Sequence, residues 1–265
     1  MTVFLAALDE TQSDAGDFTM GGWIAPQDDW EKSFEPARRQ RVLKGQSRPI
    51  PHLHMRTIWN EGWQDKHGIT GSDAYWCVEE AASVIYSTGS LYPFTSGMSA
   101  KDFNRCFVDE LKEVGGFGEI LYSPDYLCFI VLTLVAMKYV QLKFPDATRV
   151  DILVEESERT TTHMKGFHEH MDKFLDMYPE LMPLKGQLRI GNKTSIPAQA
   201  ADMLIWHVQR LEAGRLKSKA ERRRYWMMTS RPGFPHEHTQ DYLLELAAKL
   251  REEMTRRRRE GTATD

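Results

Sequence analysis

The chain has 265 residues, 41% hydrophobic and 27% charged, with a formal net charge of −4 and a pI near 6.2. This is ordinary globular composition, sufficient for one large α/β domain or two small ones. It excludes a protein coated in basic surface, while leaving room for a local basic groove that meets nucleic acid.

The cysteines Cys77, Cys106 and Cys128 are odd in number and form no Cys-x-x-Cys pair. That argues against a disulfide framework or a zinc ribbon and for a reducing compartment. The N-terminal residues lack the basic start and small-residue cleavage site of a signal peptide. The longest apolar run, 127–137, is broken only by Thr133 and reads as a buried helix too short to span a bilayer. The expectation is a cytoplasmic protein without a membrane partner; oligomeric state is not legible.

In chain order, residues 3–8 are six apolar residues that run straight into Asp9 and Glu10. A short continuous apolar run predicts a strand buried on both faces, with the two carboxylates at or just past its end and pointing to opposite faces. A carboxylate there is costly unless paired. Two readings are open: a cap for the following turn, or a metal ligand whose partners come from later in the chain. Residues 18–25 predict a second strand, a hairpin partner of the first, in which Gly21-Gly22 marks a bulge or a close backbone approach. A helix follows, capped by Asp28 or Asp29, with Trp30, Phe34 and Ala37 at helical spacing and Pro36 as a possible kink.

Residues 50–59 read as a strand or extended segment that puts His52 and His54 on one face. Both are open to reading as satisfied core histidines or as ligands. A polar loop is expected over 60–72, a helix over 73–88 and a strand over 91–98. Residues 99–120 give no clear pattern, and Gly115-Gly116 suggests an insertion. Ser123-Pro124-Asp125 opens a helix to about 144 that is apolar nearly all round, as a core helix on a sheet would be.

Residues 149–155 form another strand pattern ending in carboxylates, Glu155 and Glu156. An amphipathic helix over 161–178 carries His163, His168 and His170, which lack His-Glu-x-x-His spacing, as do His236 and His238. A short strand is expected at 187–191. A helix over 195–211 has Pro197 in its first turn and Asp202 among apolar neighbours. Residues 217–224 read as a basic linker, and 239–259 as a last helix with a tail beyond it. Arg222-Arg223-Arg224 and Arg256 to Arg259 can grip phosphate backbones or can be a solvated linker and a helix C-terminus. The seven tryptophans are core by default; Trp59 and Trp63, near His54, are the pair placed for base stacking.

Three places match in kind: Asp9 and Glu10, Glu155 and Glu156, and Asp202, with His54 as a possible fourth. Carboxylates converging at strand ends suit magnesium or manganese. The same converging carboxylates are otherwise ordinary caps.

The chain resembles the domain-of-unknown-function 3800 family. The resemblance lies in Leu8-Asp9-Glu10-Thr11 against an Asp-Glu-Ser-Gly start, Gly21-Gly22-Trp23-Ile24 followed by Trp30, and His52-Leu53-His54-Met55. It continues in Pro124-Asp125-Tyr126, Ile152 to Glu156, and Gln199-Ala200-Ala201-Asp202-Met203-Leu204 against Leu-Gln-x-Ala-Asp-Leu. It covers about residues 3–211. It implies an α/β fold with an RNase H-like mixed sheet flanked by helices over 1–212, and a basic linker and C-terminal helical extension over 213–265. It further implies a Mg²⁺- or Mn²⁺-dependent nuclease acting on nucleic acid. Asp9, Glu155 and Asp202 would hold metal, with Glu10 and Glu156 beside them, His54 orienting water or binding a second ion, and Gln199 supporting the shell. Thr11-Gln12 replaces the family's Ser-Gly, and Glu155 is longer than the family's Asp. The other class of function is a nucleic-acid- or protein-binding scaffold that kept the fold and lost turnover.

Overall fold

A computed structural model describes residues 2–13, 16–45, 49–112, 123–156, 158–231, 233–237 and 239–260, with side chains at all of these except 158–165, 168–169 and 234–237. The insertion expected at Gly115 and Gly116, the side chains of His163, His168 and His236, all of His238, and the tail 261–265 lie outside the described residues.

Six strands form one mixed sheet: β1 (Thr2–Gln12), β2 (Phe18–Pro26), β3 (Tyr92–Met98), β4 (Ala147–Glu155), β5 (Lys185–Gly191) and β6 (Phe234–Glu237), in the order β5-β4-β1-β2-β3-β6. β1, β2 and β3 are successive antiparallel neighbours; β4 lies parallel to β1, β5 parallel to β4 and β6 parallel to β3. β1 is interior and its apolar run is buried on both faces, as its sequence requires. Alternation sends Phe4, Ala6 and Leu8 into one core and Leu5 and Ala7 into the other.

The first core is closed by α6 (Pro124–Lys143), which carries Pro in its first turn and is buried along most of its length. Among the described residues this is the one helix long and apolar enough to cross a membrane, and 72% of its most apolar window is buried inside the protein. Against the same core lie α7 (Glu158–Met177), a helix over 100–111 that we number α5, and α10 (Gln240–Arg259), which is capped by Thr239. The second core is closed by α1 (27–43), α4 (Gly71–Ser87) and α8 (Ile196–Glu212). Trp23 and Trp30 anchor it, donating their indole N–H groups to the carbonyls of Ala200 (2.9 Å) and Leu5 (3.0 Å). Trp59, Trp76 and Trp226 are instead exposed.

Pro36 does not break α1. A wide π turn over Trp30–Phe34, closed by the Glu35 N–H on the Trp30 carbonyl, sits just ahead of the proline, which has no N–H to give. The helix starts at Gln27 without the side-chain cap expected from Asp28 or Asp29.

Three expectations for secondary structure are corrected. Residues 49–54 are extended but join no sheet, and Met55–Ile58 is a short helix, α2. The loop expected over 60–72 holds helix α3 (Glu61–His67), capped by Asn60 and stopped by Gly68 at φ 63°. The expected basic linker holds helix α9 (Lys219–Thr229), opened by a reciprocal Ser218–Glu221 capping box.

His207 on α8 is fully buried, with Nδ1 2.8 Å from the Met203 carbonyl oxygen and Nε2 without a partner. Burial pushes its imidazole down to about 4 from an ordinary 6.5. A depressed histidine stabilises the fold above its unfolded value, and that stability is lost as pH falls from about 6.5 toward about 4. The loss is on the order of 3 kcal/mol. Urea unfolding at about pH 7.5 and about pH 4.5 should show a smaller acid destabilisation for His207→Leu than for the wild type. Equal pH dependence in the two proteins would remove His207 as its source.

Candidate metal centre

β1 pairs with β4 only as far as Leu8–Val154, whereas its pairing with β2 continues to Gln12–Phe18. Asp9 and Glu10 therefore lie within the strand rather than past its end, just beyond the last parallel pair. There the sheet parts into a cavity of about 310 Å³ lined by Asp9, Glu10, His54, Glu155, Glu156 and Asp202. All four carboxylates expected at strand ends, the helix aspartate and His54 thus reach one cavity.

Strand alternation decides which face each acid takes. Asp9 follows Leu5 and Ala7, and Glu155 follows Leu153, so both point to the side covered by α8. Asp202 faces them from the second turn of α8. The helix comes this close because Gly21, not a larger residue, is the strand partner of Asp9. A Cβ on Gly21 would meet the Phe94 carbonyl oxygen at 2.5 Å and Ile205 Cδ1, on α8, at 2.9 Å.

The segment carrying His54 is tied to the same helix. The Leu53 N–H donates to Gln199 Oε1 (3.1 Å) and the Met55 N–H to Asp202 Oδ2 (2.6 Å). These side chains satisfy the Leu53 donor of a segment that joins no sheet and the Met55 donor at the start of α2. Gln199 also donates to the Lys193 carbonyl (3.0 Å) and is buried, so it holds the 53–55 segment rather than facing the cavity. His54 Nε2 lies 3.9 Å from Asp202 Oδ1, and its buried Nδ1 has no hydrogen-bond partner.

The electrostatics are those of a buried acidic cluster. Burial holds the Asp9 carboxyl well above the usual carboxylate range; the charges of Asp202, Glu155 and Glu10 add to this, against a hydrogen bond from the Glu10 N–H. Asp202 is pushed up to about 6, first by burial, while the Met55 N–H, Arg38 and Arg56 pull the other way. Burial also raises Glu155, against the pull of His54, and it lowers His54, against the charge of Glu155. The donors suit a hard divalent cation, which favours carboxylate oxygen. As they stand, no three His, Cys, Asp or Glu side chains among the described residues gather tightly enough to enclose one. Holding an ion would require the mutually repelling carboxylates to draw inward.

Trp59 and Trp63 do not line the cavity. Trp59 is exposed, and Trp63 packs against His52 and His67 at ring-centroid distances of 5.9 and 4.4 Å.

Sequence reasoning missed Arg56, Trp206 and Gln209 on the cavity wall, and Arg38 behind it. Trp206 stands one helical turn after Asp202, and that spacing was the available signal. Arg38 is fully buried, none of its guanidinium nitrogens has a hydrogen-bond partner among the described residues, and burial brings it down to about 10. It follows Trp30 and Phe34 at intervals of four, which puts it on the buried face of α1. Its positive charge near Asp202 offsets part of the cost of burying that carboxylate.

Comparison of the chain with protein-family models found no match. Comparisons with curated proteins and with solved structures found none either. Any functional reading therefore rests on the residues and geometry of the cavity.

Proposed function

We propose that the chain is a divalent-metal-dependent nuclease of RNase H-like fold, related to the domain-of-unknown-function 3800 family. The observation that carries the reading is the convergence of Asp9, Glu155 and Asp202, from two parallel strands and one covering helix, on one cavity, where Asp202 disfavours ionisation of both Asp9 and Glu155, and Glu155 that of Asp9. The sheet order supports it: three antiparallel strands, with two further strands parallel to the first on its other side, are what an RNase H-like domain would have, and β6 is an addition beside β3.

Asp9, Glu155 and Asp202 would hold Mg²⁺ or Mn²⁺, with Glu10 and Glu156 at the rim. Bound there, the ion would supply an activated water and charge for the departing oxygen of a phosphodiester. The chain's own residues do the rest. The Met55 N–H fixes the Asp202 carboxylate, and Gln199 fixes the backbone beside His54. His54, neutral near pH 7 because burial lowers it, can hydrogen-bond an attacking water through Nε2. Arg56 brings positive charge to the cavity wall for an anionic substrate. A cytoplasmic location belongs to this reading and is supported by three cysteines that are all buried and kept as thiols.

The second reading is a nucleic-acid- or protein-binding scaffold without turnover. It is favoured by the fact that no three acidic or histidine side chains among the described residues close on a common point.

The test is cleavage of labelled single-stranded DNA, duplex DNA, RNA and RNA–DNA hybrid with Mg²⁺, Mn²⁺ or chelator, alongside Mn²⁺ titration of wild type and Asp9→Asn. Metal-dependent cutting that Asp9→Asn loses supports the nuclease. No cutting, with Mn²⁺ binding absent or unaffected by Asp9→Asn, overturns it in favour of the scaffold.

A further inference from the structure

The basic run after α8 is a helix face rather than a linker, and its chemistry is specific. In α9, Lys219, Arg222, Arg223 and Trp226 are spaced i, i+3, i+4, i+7 and are all exposed, so they form one outward stripe. The inward face carries Arg224, which reaches Glu79, and Met228; both are buried. The one acid in the first two turns, Glu221, is occupied: it caps Ser218 and accepts from Arg210 at 2.7 Å. It therefore offsets little of the outward charge.

At the far end of the stripe Trp226 is 58% exposed, and it pairs with Tyr86 of α4, itself 45% exposed, at 5.9 Å between ring centroids and 33° between planes. Two large aromatic rings left open to solvent beside three cations are a poor use of apolar surface unless something stacks on them.

The near end connects to the cavity. Trp206 and Gln209 line the cavity, the Arg210 guanidinium lies 4.6 Å over the Trp206 ring, and Arg210 joins Glu221 and the Arg215 carbonyl at the entrance to α9. Contacts from Trp206 through Arg210 to Glu221 thus lead from the cavity wall to the first turn of α9, where the stripe begins.

We infer that the outward face of α9 binds the single-stranded part of a nucleic-acid substrate, with phosphates on Lys219, Arg222 and Arg223 and a base on Trp226. The inference rests on the nuclease reading of the carboxylate cavity and names how its substrate is held. A single strand rather than a duplex is the occupant because only unpaired bases offer free faces to Trp226, and stacking with a cationic groove is how proteins hold single strands.

The test is fluorescence anisotropy of a labelled oligothymidylate of about 20 nucleotides, a matched oligouridylate and a duplex, in chelator, across a salt series. Lys219→Ala/Arg223→Ala leaves in place the Arg222 Nε bond to the Leu216 carbonyl that braces the turn. It should weaken single-strand binding about tenfold or more and reduce the slope of log affinity against log salt by about 1.4. Trp226→Ala should weaken it by a similar factor and leave the slope unchanged. Melting temperatures near that of the wild type identify folded variants.

If the wild type binds single strands and neither variant changes affinity or slope, the α9 face is overturned while the cavity reading stands. Tighter binding of duplex than of either single strand also overturns the inference. If the wild type binds no nucleic acid and shows no metal-dependent cleavage, the inference and the nuclease reading fail together.

Discussion

On the proposed nuclease reading, Asp202→Asn protein is expected to keep the wild-type fold and lose about a thousandfold or more of metal-dependent cleavage. The asparagine side chain retains an oxygen where Asp202 Oδ2 accepts the Met55 N–H at 2.6 Å, so the segment that carries His54 stays in place. What it removes is charge. Asp202 is the largest charged contribution to the raised Asp9 carboxyl, so neutralising it lets Asp9 ionise more easily while taking away one of the three central oxygen donors. A site that works by holding a dication then loses affinity for it, and Mn²⁺ titration should show this as directly as cleavage does. Asp202→Ala separates the two roles. It strands the buried Met55 N–H as well, which costs about 1–3 kcal/mol of stability. It should therefore melt lower than Asp202→Asn while being no less inactive. If Asp202→Asn cleaves within a few-fold of wild type, Asp202 is a clamp for residues 53–55 and nothing more.

The parts of this arrangement that were legible in the sequence are those written by local pattern. The apolar run of β1 ending in Asp9 and Glu10, the matching end of β4 at Glu155 and Glu156, and Asp202 on an apolar helix all announce buried elements that terminate in charge. The α/β class followed from the strand and helix patterns, whereas the mixed sheet flanked by helices was what the family resemblance implied. Residues 50–54 are extended as one of the two readings had it, but the helix over 55–58 was not foreseen, because Leu53 and Met55 donate to side chains from far along the chain, Gln199 and Asp202, and no local pattern encodes those. α9 was hidden by its charge, although Ser218 followed by Glu221 carried the capping signal. β6 is four residues long, contains Pro235 and sits at the sheet edge, so neither its length nor its composition marks a strand. Arg38 was passed over because a charged residue is read as exposed by default, and only its register with Trp30 and Phe34 contradicts that.

Gly22→Ala is expected to be the most damaging single methyl group in the sheet, costing about 3 kcal/mol or more. Gly22 pairs with Leu8 in the antiparallel ladder, and a Cβ built on it would fall 1.8 Å from the Ala7 carbonyl oxygen and 3.1 Å from the Leu8 Cα. The obstruction is the backbone of the neighbouring strand, so no rotamer change relieves it. β2 must move away from β1, or both must bend. The close approach foreseen from Gly21-Gly22 is thus real, while the ladder runs through both glycines without a bulge. At this chain length the expected loss corresponds to a fall in melting temperature of about 6–12 °C. Gly97→Ala is the control, because it too lies in a strand of this sheet but has nothing within 4 Å of its added methyl. It should be neutral or slightly stabilising through a less flexible unfolded chain. The consequence reaches the cavity, since Gly21 is the strand partner of Asp9 and the surface on which Ile205 of α8 rests. Displacing β2 shifts the seat of α8 and, with it, Asp202 relative to Asp9. Gly22→Ala protein that still folds should therefore bind Mn²⁺ more weakly than Gly97→Ala, even at a temperature where both are fully native. Equal affinity and equal melting temperature in the two variants would show that β2 absorbs the methyl without moving, and that the glycine pair does not set the distance between sheet and helix.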